Sequence, residues 1–297
     1  MQGKRKKELK QSLTAASFLA PSLLGLILFS AVPVVFSMFI SLTDWNYVNG
    51  IGNWNFVWFE NFKKLWSDEW FRASLCNTFV YTVVTVPIGL FLAVVIAVLI
   101  DQFCAKKLAG MLRVTMYMPK ICNIVASAAV WTMLYSTYGP FTQLMKALGW
   151  TDPPRFLASY TWALPAVMLM SIWQGLGYHV FLYSASLTSL PKDIYEAADL
   201  DGVNGIQRFF YITLPQLKPT TFFLTVTGII SSFKVFGQIN VMTHGGPGSS
   251  TYTLVYYIYK SAFTYYEMGY ASAVAMVLFA ILLCVTLYQW HHNKNND

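Results

Sequence analysis

Residues 75–100 read LCNTFVYTVVTVPIGLFLAVVIAVLI, a run without a single charged side chain. A helix rises about 1.5 Å per residue, so about 20 such residues cross the roughly 30 Å hydrocarbon core of a bilayer. A surface helix of a soluble protein keeps a polar face. This run keeps none, which sets aside a large soluble helical protein. Five further stretches are long and mostly apolar, at about 18–42, 114–136, 161–187, 219–241 and 268–290, with Lys120 and Lys234 the lysines inside them. The sequence therefore predicts an all-α membrane protein with six transmembrane helices over 18–290. Pro33, Pro87 and Pro165 fall inside these stretches; neighbouring helices can satisfy the backbone groups they free.

Composition agrees. The 297 residues are 56% hydrophobic, 17% aromatic and only 11% charged, with a mean hydropathy of +0.49. A soluble domain carries about 25% charged residues. The net charge of +7 raises nucleic acid as a partner. No basic stripe interleaved with aromatics occurs, however, so nucleic acid is excluded. Cys76, Cys104, Cys122 and Cys284 are scattered without CxxC or Cys/His spacing, so no metal site or redox motif is expected. The basic head at Lys4, Arg5, Lys6 and Lys7 precedes an apolar run, as in a signal peptide. That run is longer than the roughly 7–15 residues of a signal core, so it is expected to stay as the first span.

Lysine and arginine placement sets the orientation. With the N-terminus inside, the inner side holds Lys4, Arg5, Lys6, Lys7, Lys10, Lys106, Lys107, Arg113, Lys192, Arg208, Lys218 and Lys294. The outer side holds Lys63, Lys64, Arg72, Lys146, Arg155 and Lys260, half as many. Both tails, 1–17 and 291–297, are thus expected in the cytoplasm. The outer connection after span one is rich in aromatics: Trp45, Tyr47, Trp54, Phe56, Trp58, Phe59, Trp66 and Trp70. These fit an interfacial belt or an interfacial helix framing an outer opening.

The most charged internal stretch runs from Leu190 to Thr220: LPKDIYEAADLDGVNGIQRFFYITLPQLKPT. Pro191 can start a helix, and Asp193 and Glu196 suit its positive end. Gly202 and Gly205 permit a sharp bend, and Pro215 and Pro219 fix where a second short helix meets span five. On physics alone this is a loop helix beside the membrane. However, Glu196-Ala197-Ala198, Gly202 six residues after the glutamate, and Ile212-x-Leu214-Pro215 together resemble the EAA loop of bacterial ABC import permeases. Trp173-Gln174-x-Leu176-Gly177, Gly245-Gly246-Pro247 with Thr251, and Gly269-Tyr270-Ala271-Ser272-Ala273 resemble its carbohydrate-uptake branch, as the first of two permease subunits. The likeness covers nearly the whole chain and is closest from about Ile172 onward.

The resemblance implies the type I ABC importer permease fold with a short cytoplasmic coupling helix. It implies a bacterial inner-membrane location, a second permease (a heterodimer), two cytoplasmic ATPase subunits, an extracytoplasmic substrate-binding protein, and a sugar, an oligosaccharide, as cargo. The chain itself would take no cofactor, and ATP and Mg would sit on the ATPases. The sequence has no GxxxxGK[ST] phosphate loop, in keeping with that division. Glu196, Ala197, Ala198, Asp201, Gly202, Leu214 and Pro215 would form the ATPase-coupling set, with Glu196 in polar contact, the alanines in close packing and Gly202 at the bend.

Polar groups within spans tend to face the interior, and sugars are held by aromatic faces and hydrogen bonds. The candidates for the pathway are Asn123 and Trp131 in span three, Gln174 and Tyr178 in span four, and Gln238 and Asn240 in span five. Lys234, inside span five, is a further candidate; facing the pathway, it would admit an anionic substrate such as a glycerol phosphate or uronate oligomer. Lys120 is expected to snorkel toward the inner interface. His291 and His292 are expected to be interfacial. An ion-driven secondary transporter would want acidic residues or repeats within its spans, and none is evident. A membrane-embedded enzyme would want a metal or nucleophile cluster, and none is evident either.

Overall fold

The structure, a computed structural model, describes residues 16–50 and 52–294. The expected N-terminal tail thus lies outside the described residues up to position 15, as does the C-terminal tail from position 295. The chain is helical and forms two compact bodies, Met1–Ser67 with Ile258–Val277, and Asp68–Tyr257 with Leu278–Asp297.

The first body begins with α1, Ala16–Ile40. A π-helical turn at Ile27–Ala31 precedes Pro33. Proline lacks an N–H and crowds the carbonyl four residues back, and the widened turn accommodates that carbonyl within a continuous helix. Along α1 only Ile40 is buried; Phe18, Phe29, Val35 and their neighbours stand exposed. Such an apolar surface is untenable in water and suits lipid.

The connection after α1 is a folded cap. Thr43 bridges Phe56, and the Asn61 amide donates to the Ser41 and Thr43 carbonyls at 2.8 and 2.9 Å. Phe39 meets Trp54 and Phe56 edge-on, and Trp45 meets Trp54. Asp44 accepts from the Asn55 backbone N–H at 2.6 Å and from its side chain at 3.2 Å, which holds its carboxyl below the usual range. Trp58 and Trp66 remain exposed. A short helix, α2 (Glu60–Ser67), closes the cap, and Lys64 pairs with Glu267 at 3.4 Å.

The second body holds α3 (Glu69–Phe103), α4 (Lys106–Ile121), α5 (Ile124–Leu134), α6 (Pro140–Ala147) and α7 (Ala163–Thr188). They are followed by α8 (Lys192–Leu200), a short helical run α9 over 205–216, α10 (Lys218–Phe233) and α11 (Gly237–Met242). Residues of α12 (Leu254–Phe263) and α13 (Met268–Lys294) divide between the two bodies.

Asp68 caps α3 by accepting from the Trp70 N–H at 2.9 Å, and Pro87 lies inside the helix. The buried face of α3 carries Ser74, Thr78, Thr82, Thr85, Gly89, Ala93 and Ala97. The Ser and Thr hydroxyls bond back to the carbonyls four residues earlier, so no polar group is stranded. The small residues admit α7 closely, and Val180, Tyr183 and Leu187 pack there. Tyr183 and Ser186 of α7 hydrogen-bond Thr221 and Thr220 of α10, at 3.0 and 2.6 Å.

Among the described residues, four helices are long and apolar enough to cross a membrane: α1, α3, the 218–242 segment and α13. They fall on the first, second, fifth and sixth expected spans. The third is not one uninterrupted helix over 114–136. It starts at Lys106, stops at Ile121 and restarts at Ile124. Pro119 weakens the last turn, and Asn123 caps the new helix by accepting from the Val125 N–H at 2.8 Å. The fourth, α7, is long enough, but Gln174, Gly175, Gly177 and His179 dilute its apolar content. The fifth breaks at Lys234–Phe236, between α10 and α11.

Candidate functional site

A polar cavity of about 470 Å³ opens within the second body. It lies inside the ~300–1,000 Å³ range of small-molecule sites. Each wall is one stripe of a helix. On α3, Tyr81, Thr85 and Gly89 recur at intervals of four. On α7, Ser171, Gln174, Gly175, Tyr178 and His179 follow the three-four rhythm of one helical face, and on α10 Thr227, Gly228 and Ser231 do the same. Lys120 comes from the last turn of α4 and Gln238 from α11. Gln174 is only 8% exposed, and its amide has no hydrogen-bond partner among the described residues. Gln238 donates to the Ser171 hydroxyl at 3.2 Å. The Lys120 ammonium lies 5.6 Å from the centroid of the Tyr178 ring, close enough for a cation–π contact. The Nδ1 of His179 is buried without a partner.

The walls meet where side chains are missing. A methyl group at Gly177 would overlap the Met116 carbonyl, so the α4 and α7 backbones touch there. One at Gly228 would come within 3.3 Å of Val86, which seats α10 against α3.

Of the seven pathway candidates, Gln174, Tyr178 and Gln238 line this cavity; the other four do not. Asn123 is occupied as the cap of α5. Trp131 is buried in an aromatic cluster with Tyr135, Phe141 and Trp173, at 5.4, 5.7 and 5.4 Å. Asn240 lies on α11, away from the lining. Lys234 is the C-cap of α10 and exposed, where a cation complements the helix end. Lys120, exposed at the end of α4, also lines the cavity, as does His179, which the sequence reading did not single out. The signal available for both was the stripe: Lys120 next to a helix-breaking Pro119, and His179 four residues from Gly175 on the polar face of α7.

The charged loop has the expected bend. Helix α8 ends in a Schellman arrangement, with the Val203 N–H donating to the Ala198 carbonyl at 3.1 Å, and Gly202 at φ +72°. No atom lies within 4 Å of a Cβ added at Gly202, so the glycine is required by its dihedral and not by crowding. Asn204 and Gln207 form a capping box that starts α9. The Tyr195 hydroxyl lies 3.2 Å from that of Thr213, tying α8 to the π-helical turn Phe209–Thr213. Glu196, Ala197, Asp201 and Pro215 are exposed, Leu214 is partly buried, and Ala198 is covered by the chain itself.

The sequence matches the family of binding-protein-dependent transport system inner membrane components over residues 65–294. It is 33% identical over 274 residues to the "Probable ABC transporter permease protein YurN" of Bacillus subtilis, covering 92% of this chain and 93% of the relative. It is 31% identical over 285 residues to the sulfoquinovosyl glycerol transport system permease protein SmoG of Agrobacterium fabrum, covering 94% and 90%. The fold matches a chain in the crystal structure of a bacterial alginate ABC transporter in complex with an alginate pentasaccharide-bound periplasmic protein. There the TM-score is 0.83 at 22% identity, with 97% and 96% of the chains covered. An all-helical chain with exposed apolar helices, a glycine-bent charged loop and a match across most of its length belongs to the binding-protein-dependent transport system inner membrane components, with the type I importer permease fold.

Proposed function

We propose that this chain is the transmembrane permease subunit of an ATP-driven, binding-protein-dependent importer of a saccharide. Six crossings are inferred, from α1, α3, α4 with α5, α7, α10 with α11, and α13, in a bacterial cell membrane with both termini cytoplasmic. The chain pairs with a second permease and receives cargo from an extracytoplasmic binding protein, and the permease pair docks two ATPase subunits that hold ATP and Mg. The observation that carries the reading is the polar cavity in an otherwise apolar helical body. Its free Gln174 amide, the Gln238–Ser171 pair and the Tyr178 ring offer the donors, acceptors and flat apolar face that a pyranose requires. SmoG and the alginate transporter are named for saccharide cargo, which favours a sugar over a peptide or metal.

Coupling is mechanical. Exposed Glu196 and Ala197 present α8 as a helix for a groove on the ATPase. The bend at Gly202 and the capped α9 link it to α10, one wall of the cavity. Movement of the docked loop is thereby passed to the cavity as a rigid-body tilt.

The test is uptake by proteoliposomes holding both permeases, the ATPases and the loaded binding protein. ATP-dependent accumulation is expected. Gln174→Leu should lower it about 5- to 30-fold, the equivalent of about 1–2 kcal/mol of lost hydrogen bonding. Accumulation driven by an ion gradient without ATP would replace the reading with a secondary transporter.

A further inference from the structure

The cavity carries a charge that neutral sugar recognition does not require. We propose that it is built for an anionic saccharide bearing a carboxylate, sulfonate or phosphate, with Lys120 meeting the charge and His179 hydrogen-bonding the same group; this rests on the cavity being the transport site.

Lys120 is the one Lys or Arg in the lining, and no Asp or Glu lines the cavity with it. The two salt bridges among the described residues, Lys64–Glu267 and Arg113–Asp101, both leave Lys120 out. Its place in the last turn of α4 sets the ammonium 5.6 Å from the centroid of the Tyr178 ring, exposed and within the lining, where an anion can reach it.

His179 points the same way. Its Nδ1 is buried and unpartnered, and its ring lies beside Gly175 and Gly89 in the lining. In the tautomer protonated at Nδ1 it donates one hydrogen bond to an incoming oxygen. Gln174 and the Gln238–Ser171 pair then serve the sugar hydroxyls. Lys234, the cation first considered, is a helix cap outside this lining.

The test uses the complete complex in phosphatidylcholine proteoliposomes with its cognate binding protein. The liposomes are offered an equimolar mixture of galactotriose, trigalacturonate, a sulfated trisaccharide and glycerol 3-phosphate. Mass spectrometry identifies which component accumulates with ATP. An anionic component is expected, with Lys120→Met lowering its uptake at least tenfold and Lys120→Arg staying within about threefold. His179→Gln should raise the half-saturating concentration severalfold. If K120M fails to assemble, the charge of the accumulated cargo and the K120R and H179Q results still decide. Accumulation of the neutral trisaccharide alone, with normal rates for K120M or H179Q, sinks the anion assignment and leaves the importer standing. ATP-dependent uptake of no component overturns both. A K120M effect seen only after phosphatidylglycerol is added assigns Lys120 to a lipid headgroup and also overturns the proposal.

Discussion

At Gly177 the α4 and α7 backbones approach so closely that a single methyl group has no place. The Met116 carbonyl and Tyr117 amide that bound the contact are backbone atoms and cannot rotate away. Overpacking that side chains can relieve costs about 1–3 kcal/mol; here relief requires shifting one helix against the other. Gly177→Val should therefore lower the thermal midpoint of the assembled complex by several degrees. It should also cut uptake more than Gly110→Val, where the added Cβ meets open space. Equal behaviour of the two variants would show that the close approach does not constrain the wall. The neighbouring cavity residues differ in kind. Gln174 and His179 are placed by the same helix, but their polar atoms are left without partners, so their substitution should move transport more than stability.

At the scale of elements, the apolar runs and the charged loop were legible because each writes a long or fully spaced pattern. Residues 75–100 can only be buried in lipid or protein on all sides. The spacing from Glu196 through Gly202 to Pro215 fixes a helix, a bend and a second helix. The helix breaks were harder to see. The interruption at Cys122–Asn123 rests on Pro119 and one asparagine cap, local features that a hydropathy window averages away. The cavity was half legible: Gln174, Tyr178 and Gln238 are polar in apolar surroundings, whereas Lys120 and His179 leave only the weaker signals of Pro119 and the spacing from Gly175, and join the cavity because α4 ends beside α7. Trp131 and Asn240 show the converse, since a polar or aromatic side chain in a span need not face the cavity. The bend at Gly202 gives a prediction of its own. With φ at +72° and open space around it, Gly202→Ala should strain the backbone without a clash. The effect on membrane abundance should be small. Gly202→Val should nearly abolish uptake and the ATPase stimulation by loaded binding protein, while ATPase activity without cargo persists. Full coupling in the valine variant would remove Gly202 from the coupling path.

For the whole molecule, the parity of crossings decides where the tails lie. Helix α4 spans 16 residues and α5 spans 11, roughly 24 and 16 Å at 1.5 Å per residue. Neither reaches across a core of about 30 Å, but end to end they do. If they run on through the break as one crossing, the chain crosses six times and both termini share a side, as the basic residues require. If they fold back as a re-entrant pair, the count is five and the C-terminus is exported. Reporter fusions separate these outcomes, alkaline phosphatase being active outside and green fluorescent protein fluorescent inside. A reporter inserted after Gly149, in the connection between α6 and α7, should read outside, and one after Lys294 inside. An exported C-terminus together with an inside reading after Gly149 would mean that α4 and α5 enter and leave by the same face. Lys120 would then sit at the apex of a re-entrant turn, and the cavity it lines would be the floor of an inward vestibule. The saccharide assignment and the topology thus stand on the same short break, and the fusion after Gly149, read beside that after Lys294, is the measurement that weighs on both.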